Sequence, residues 1–187
     1  MHPIAAVRAW SRAEHRFTRW EKFVILLFLC TCGGIFGFLY VTIFYRIDLG
    51  YFVKRGTTLG PWIPIYAYGS FVILLTAYRF RRHPFAVFLL GTVSSGVLEY
   101  AVGWFLWTHM HTRLWDYNTE IWNWGNINGY ICARSVLFFG LSGLFLVCLL
   151  VPLATHLAAS MKKRTFALMT LIPAGLIALD ILYSFIR

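Results

Sequence analysis

The chain has 187 residues, 59% of them hydrophobic and only 13% charged, and its mean hydropathy is +0.67. This excludes an ordinary soluble domain, in which about a quarter of residues are charged, and marks an integral membrane protein. The net charge of +10 gathers beside apolar runs, where it serves topology and contact with anionic lipid rather than nucleic-acid binding.

Along residues 1–22, Ala6, Trp10, Ala13, Phe17 and Trp20 recur at helical spacing, with Arg8, Arg12, Arg16 and Arg19 elsewhere around the same helix. That is the pattern of a basic amphipathic segment on the cytoplasmic membrane surface. It is not a cleavable leader, because no small-residue cleavage site follows a short apolar core.

From residue 23 onward the sequence reads as one all-α membrane domain, 23–187, with five spans at about 23–45, 63–78, 84–107, 130–151 and 166–186. Each approaches the roughly 20 residues that a bilayer requires, although the second is short. Lys and Arg cluster before the first span, after the second (Arg79, Arg81, Arg82) and after the fourth (Lys162, Lys163, Arg164), against a sparser set of Arg46, Lys54, Arg55, Arg113 and Arg187 on the other side. The bias puts the N-terminus in the cytoplasm and the C-terminus outside, as in a bacterial inner membrane protein. The two long connections, 46–62 and 108–129, then lie on the outer face.

The chemistry gathers around the second of those connections. Glu99 stands about 13 Å below the outer end of the third span at helical rise. A charged carboxylate at that depth costs on the order of 3 kcal/mol, so it needs a partner, a proton or a wet cavity. Arg134, one turn into the fourth span, is the expected partner, with Arg55 second. Trp115, Asp116 and Tyr117 follow in the loop, and Asn126 and Asn128 flank glycines at the re-entry, where unusual backbone angles and side-chain amides suit a folded cap. Trp62, Trp104, Trp107, Trp115, Trp122 and Trp124 fall at or beyond the outer boundary, as an aromatic belt does.

His109 and His111 lie beside these residues. Their His-x-His spacing dictates no third ligand, so no metal is expected, and as a general acid or base His109 would have to work with Glu99. Cys30, Cys32, Cys132 and Cys148 all sit in apolar stretches and form no disulfide framework. No phosphate loop, serine nucleophile elbow or dinucleotide fingerprint is present, and no cofactor is implied.

The motifs RGTTLGPWIPIYAYG (55–69), LEY (98–100), WDY (115–117) and NINGYIC (126–132), in that order between apolar spans, resemble the family called putative ABC-transporter type IV. The resemblance runs over roughly 33–151 and implies a small polytopic membrane protein. In that family an acidic residue usually stands near the position of Val41, and an aliphatic or acidic one where Arg134 stands. This chain therefore has a different charge in any cavity facing Glu99. The family name also implies a separate ATPase subunit if the chain is a permease.

Three readings follow. The first is an outward-facing polar cavity lined by Arg55, Glu99, Asp116, Asn128 and Arg134, with Trp115, Tyr117 and Asn126 beside them, which binds or transports a small amphiphile or lipid headgroup. The second is an intramembrane enzyme on a lipid, with Glu99 or His109 as acid or base. The third is a structural subunit whose polar residues fix packing.

Overall fold

The computed structural model describes residues 17–186, and the amphipathic segment expected over 1–22 lies outside them apart from its end. Among the described residues the chain is all helix and loop, save an isolated bridge between Ile127 and Ile131. Helix α1 runs Arg19–Leu49, α2 Pro64–Ala77 with a 3-10 turn at Tyr78–Phe80, α3 Pro84–Met110, α4 Ala133–Ser160 and α5 Lys163–Ile186. Four of these, α1, α3, α4 and α5, are long and apolar enough to cross a membrane.

The ends of the helices follow from local chemistry. Thr18 caps α1 in a reciprocal pair with Glu21: the Glu21 amide donates to Thr18 Oγ1 at 3.2 Å and the Thr18 amide to the Glu21 carboxylate at 2.8 Å. The helix therefore starts four residues before the expected span. It stops at Gly50, whose φ of 79° is the left-handed conformation a C-terminal glycine adopts cheaply. Helices α2 and α3 each begin on a proline, which gives up an amide that would be unpaired there anyway. Inside α4 the regular ladder loosens into a π-helical stretch at Leu146–Leu150, immediately before Pro152, whose ring cannot sit under a normal i−4 carbonyl.

Neighbouring helices approach closely where α1, α3 and α4 carry glycine. A Cβ on Gly91 would meet the Cα atoms of Gly140 and Gly143 at 3.6 and 3.7 Å, so α3 and α4 touch backbone to backbone. A Cβ on Gly37 would lie 2.1 Å from the Tyr66 ring, so the bare face of α1 is the seat of that side chain. Val24, Ile25, Leu29, Ile73, Val87, Val147 and Phe166 form one buried apolar cluster. Large side chains such as Leu75 and Phe85 point outward, as lipid-facing residues do.

Two sets of ties define the ends of the bundle. At one end Lys163 Nζ meets Glu21 at 2.8 Å, joining α5 to α1. At the other end Asp180 accepts the amides of Leu59 and Gly60 at 2.9 and 2.8 Å, and Asp48 accepts the amide of Ile121 at 3.2 Å. The 50–63 and 111–132 loops, the end of α1 and the end of α5 therefore share one face.

Candidate functional site

The 111–132 loop is folded by its own polar side chains. Asp116 Oδ1 accepts from the Asn118 amide at 3.0 Å, from Asn118 Nδ2 at 2.7 Å and from Arg113 Nη1 at 3.1 Å. Asn126 donates to Asn118 at 2.7 Å and accepts the Gly129 amide at 2.9 Å. Asn128 and Gly129 have φ of 56° and 76°, and Asn128 reaches the Tyr100 hydroxyl at 3.1 Å. Trp115 Nε1 donates to the Tyr130 carbonyl at 2.9 Å. Trp115, Asp116, Asn126 and Asn128, four of the expected site residues, staple this loop. Asp116 and Asn126 both bond the Asn118 side chain, and Asn128 bonds Tyr100.

What the staple does is turn Tyr117 and Glu120 inward, where both are buried. Tyr117 donates its hydroxyl to Glu99 Oε1 at 2.5 Å, and Ser135 Oγ, on the first turn of α4, lies 2.9 Å from Glu99 Oε2. Glu120 takes Arg134 Nη2 at 2.7 Å and the Tyr45 hydroxyl from α1. Arg134 Nη1 donates to the Tyr40 hydroxyl at 3.0 Å, and its guanidinium lies 3.8 Å above the Phe44 ring and 5.4 Å from that of Tyr117. Arg55 stacks on the Tyr45 ring at 3.9 Å. Helices α1, α3 and α4 and the loop thus meet in one hydrogen-bonded cluster.

The pairing corrects the sequence expectation. Arg134 is held by Glu120, Arg55 is turned onto Tyr45, and Glu99 is hydrogen-bonded to neutral hydroxyls instead of to either arginine. Glu120 escaped notice because an acid in a loop reads as solvated. The available signal was its setting, between Tyr117 and Trp122 with Ile121 beside it, which is unusual company for an exposed carboxylate. Burial pushes the Glu120 carboxyl above the usual carboxylate range, against the pull of Tyr45 and Arg134. Burial also raises the Tyr117 hydroxyl well above its ordinary value, so it remains a proton donor to Glu99.

The histidines stand apart from this cluster. His109 is exposed, with Nδ1 3.3 Å from the Phe105 carbonyl and its ring against Trp104 and Phe105, and His111 ends α3 with a φ of 49°. The acid/base pair of Glu99 with His109 is not assembled. Among the described residues, no group of His, Cys, Asp and Glu is placed to hold a metal.

A cavity of about 30 Å³ lies between α1, α2 and α4. Tyr66, Ser70, Phe139, Ser142 and Leu150 are among the residues that line it. Phe36 and Phe145, stacked at 5.6 Å, line it too and are 39% and 43% exposed. Ser142 Oγ is buried without a hydrogen-bond partner. Sequence reading missed this cavity, because it depends on which faces of three separate helices leave space between them.

A family model described as putative ABC-transporter type IV matches residues 26–185, most of the chain. No curated protein and no solved structure matches it.

Proposed function

Because the chain belongs to the putative ABC-transporter type IV family, and its apolar helices make it an integral membrane protein related to transport, we propose that it binds and moves a small amphiphile. In this reading the Glu99–Tyr117–Glu120–Arg134 cluster is the polar end of the site and the Tyr66–Leu150 cavity is the apolar end. One observation carries it: a buried acid–arginine cluster, expensive inside a membrane, is linked through Tyr40, which bonds Arg134 and packs on Tyr66, to a cavity that Tyr66 lines. At about 30 Å³ the cavity is the size of one water, so in this reading the amphiphile enters by parting Phe36 and Phe145.

The proposal includes five crossings, with the N-terminus in the cytoplasm and the C-terminus outside, in a bacterial inner membrane. Helix α2 with its 3-10 turn spans about 27 Å at standard rises, close to the roughly 30 Å of a hydrocarbon core. The shared outer face of the 50–63 and 111–132 loops supports that count, since α2 must then carry the chain to the opposite side. Residues 23–187 act as one membrane domain, with 1–22 lying on the cytoplasmic surface. The family name is compatible with a separate ATPase subunit, which would meet the short basic connections around Arg81 and Lys162.

The test is native mass spectrometry with lipid extraction, on protein purified from its own membranes, comparing wild type with Glu99→Gln and Ser142→Leu. A co-purifying small molecule that both folded variants lose is the expected result. Equal retention in all three, or none in wild type, would leave only the packing role for the cluster.

A further inference from the structure

Residues 116–129 form a compact loop with a closed neck. At the neck Trp115 Nε1 donates to the Tyr130 carbonyl at 2.9 Å and the Tyr117 amide to the Gly129 carbonyl at 3.1 Å. The neck sits on bare backbone of α3, where a Cβ added at Gly103 would meet Tyr130 at 3.1 Å and Trp115 at 3.3 Å. Beyond the neck the loop is bonded to itself, through Asp116, Asn118 and Asn126 and through Asn123 Nδ2, which donates to the Tyr117 carbonyl at 2.9 Å. Loops whose ends touch and whose side chains pack on one another are compact units that frequently carry function.

What seals this unit onto the helices is polar. The Tyr117 hydroxyl rests on Glu99, Glu120 on Arg134 and Tyr45, and the Ile121 amide on Asp48, while the Trp124 carbonyl takes the Ala133 amide at 2.8 Å. The large apolar side chains of the loop do little sealing, since Trp122, Trp124 and Ile127 are 50%, 63% and 50% exposed. Water can replace each polar bond, so lifting the loop loses little in hydrogen bonding. Lifting also rehydrates Glu120 and Arg134, whose burial is costly even when they are paired. A plug of apolar side chains would recover nothing of the kind, because opening it exposes apolar surface to water. The loop is therefore held down by bonds that exchange with water, while its own framework persists.

We infer that residues 116–129 are a lid, which swings off the helices as one body about its neck and admits water to Glu99, Arg134 and Cys132. Cys132 is the natural reporter of this motion. It is 1% exposed and has Arg134 and Tyr40 for neighbours, with Trp124 and Gly125 of the lid lying against Ala133 beside it. The motion needs no ligand, so it does not depend on the amphiphile reading; within that reading the lid is the gate at the polar end of the site.

The experiment uses the full chain in lipid nanodiscs, with Cys30→Ala, Cys32→Ala and Cys148→Ala so that Cys132 is the one thiol left. A charged methanethiosulfonate reagent is added and labelling of Cys132 is timed by mass spectrometry, with circular dichroism recording that the helices stay folded. The rate follows the population of the open lid. The folded protein is expected to label. Tyr117→Phe, which removes one bond of the seal, should label roughly fivefold faster or more. Glu120→Leu and Arg134→Met combined with Tyr40→Phe and Tyr45→Phe turn the charged part of the seal apolar, and that variant should label roughly fivefold slower or more. If Cys132 labels only as the helices unfold, or if the rate is not raised in Tyr117→Phe or not lowered in the apolar variant, the lid is overturned.

Discussion

Arg134 and Glu120 stand 14 residues apart in sequence and meet at 2.7 Å with little of either side chain exposed, one from the first turn of α4 and one from the loop before it. The bond fixes how the loop returns to the helix. It also carries the stack of Arg134 on Phe44 and the Tyr45 hydroxyl into the same knot, so the end of α1 and the start of α4 are held through a loop residue.

Breaking half of that pair should cost more than removing all of it. Glu120→Ala leaves a buried guanidinium with Tyr40 as its remaining side-chain hydrogen-bond partner, and the loss of one member of such a pair is worth about 3–5 kcal/mol. Arg134→Met with Glu120→Leu removes both charges and should recover most of that loss. Thermal unfolding in detergent of the two single variants and the double variant measures the coupling. A double variant no more stable than the worse single one would mean that the bond contributes no coupling.

Glu99 should tolerate glutamine and reject alanine. The amide of Gln can accept from Tyr117 and donate to Ser135, so Glu99→Gln keeps both contacts and should stay within about 1 kcal/mol of wild type. Glu99→Ala takes the acceptor from the buried Tyr117 hydroxyl, at about 1–3 kcal/mol for a buried group left unpaired, while Ser135 keeps its bonds to Cys132. The same unfolding assay ranks them, and a Gln variant as damaged as the Ala one would mean that Glu99 is charged in the fold.

Some of this was legible in the sequence and some was not. Long apolar runs between prolines, glycines and basic clusters locate helices well, because desolvation of the backbone decides them. They do not by themselves settle whether α2 crosses, because its 14 residues and 3-10 turn fall short of the roughly 20 residues that a span takes. Glu99 was conspicuous, since few carboxyls sit in apolar sequence. Its partners were not, because Ser135 looks like any helix serine and Tyr117 reaches inward only after Asp116, Asn118 and Asn126 have folded the loop. Asp116 and Asn128 looked like ligand groups for the same reason they work as staples: they are good hydrogen-bonding side chains, and sequence does not say on which atoms they spend their bonds.

The seat of Tyr66 should be intolerant of even one methyl. A Cβ at Gly37 would overlap the Tyr66 ring at 2.1 Å and its Cβ at 2.5 Å, so Gly37→Ala must push α2 away or turn the ring. Overpacking of that kind costs about 1–3 kcal/mol. Gly175, where an added Cβ meets nothing within 4 Å, is the control, and Gly175→Ala should be neutral or slightly stabilising because alanine favours helix. Ring displacement should also widen the cavity that Tyr66 lines, which iodide quenching of tyrosine and tryptophan emission in Gly37→Ala would report.

Gly129 is where the loop staple is most exposed to a single change. Its φ of 76° strains any other residue, and an added Cβ would lie 2.3 Å from Arg113 Nη1 and 2.5 Å from both Asp116 Oδ1 and Asn118 Nδ2. Gly129→Ala must therefore break the Asp116 centre and with it the bond from the Tyr117 amide to the Gly129 carbonyl at 3.1 Å. Tyr117 and Glu120 would then lose the framework that turns them inward, although neither is mutated. The expected outcome is a helical bundle of normal far-ultraviolet circular dichroism whose 111–132 loop is cut by added protease at least tenfold faster than in wild type, because opening that costs about 1.4 kcal/mol less raises the open population by that factor. Asp116→Asn keeps the size of the centre and loses its charge, so it should fall between the two. If cleavage were equal in all three proteins, the inward turn of Tyr117 and Glu120 would have to come from Arg134 and Glu99 pulling on them, with the staple a consequence of the site instead of its cause.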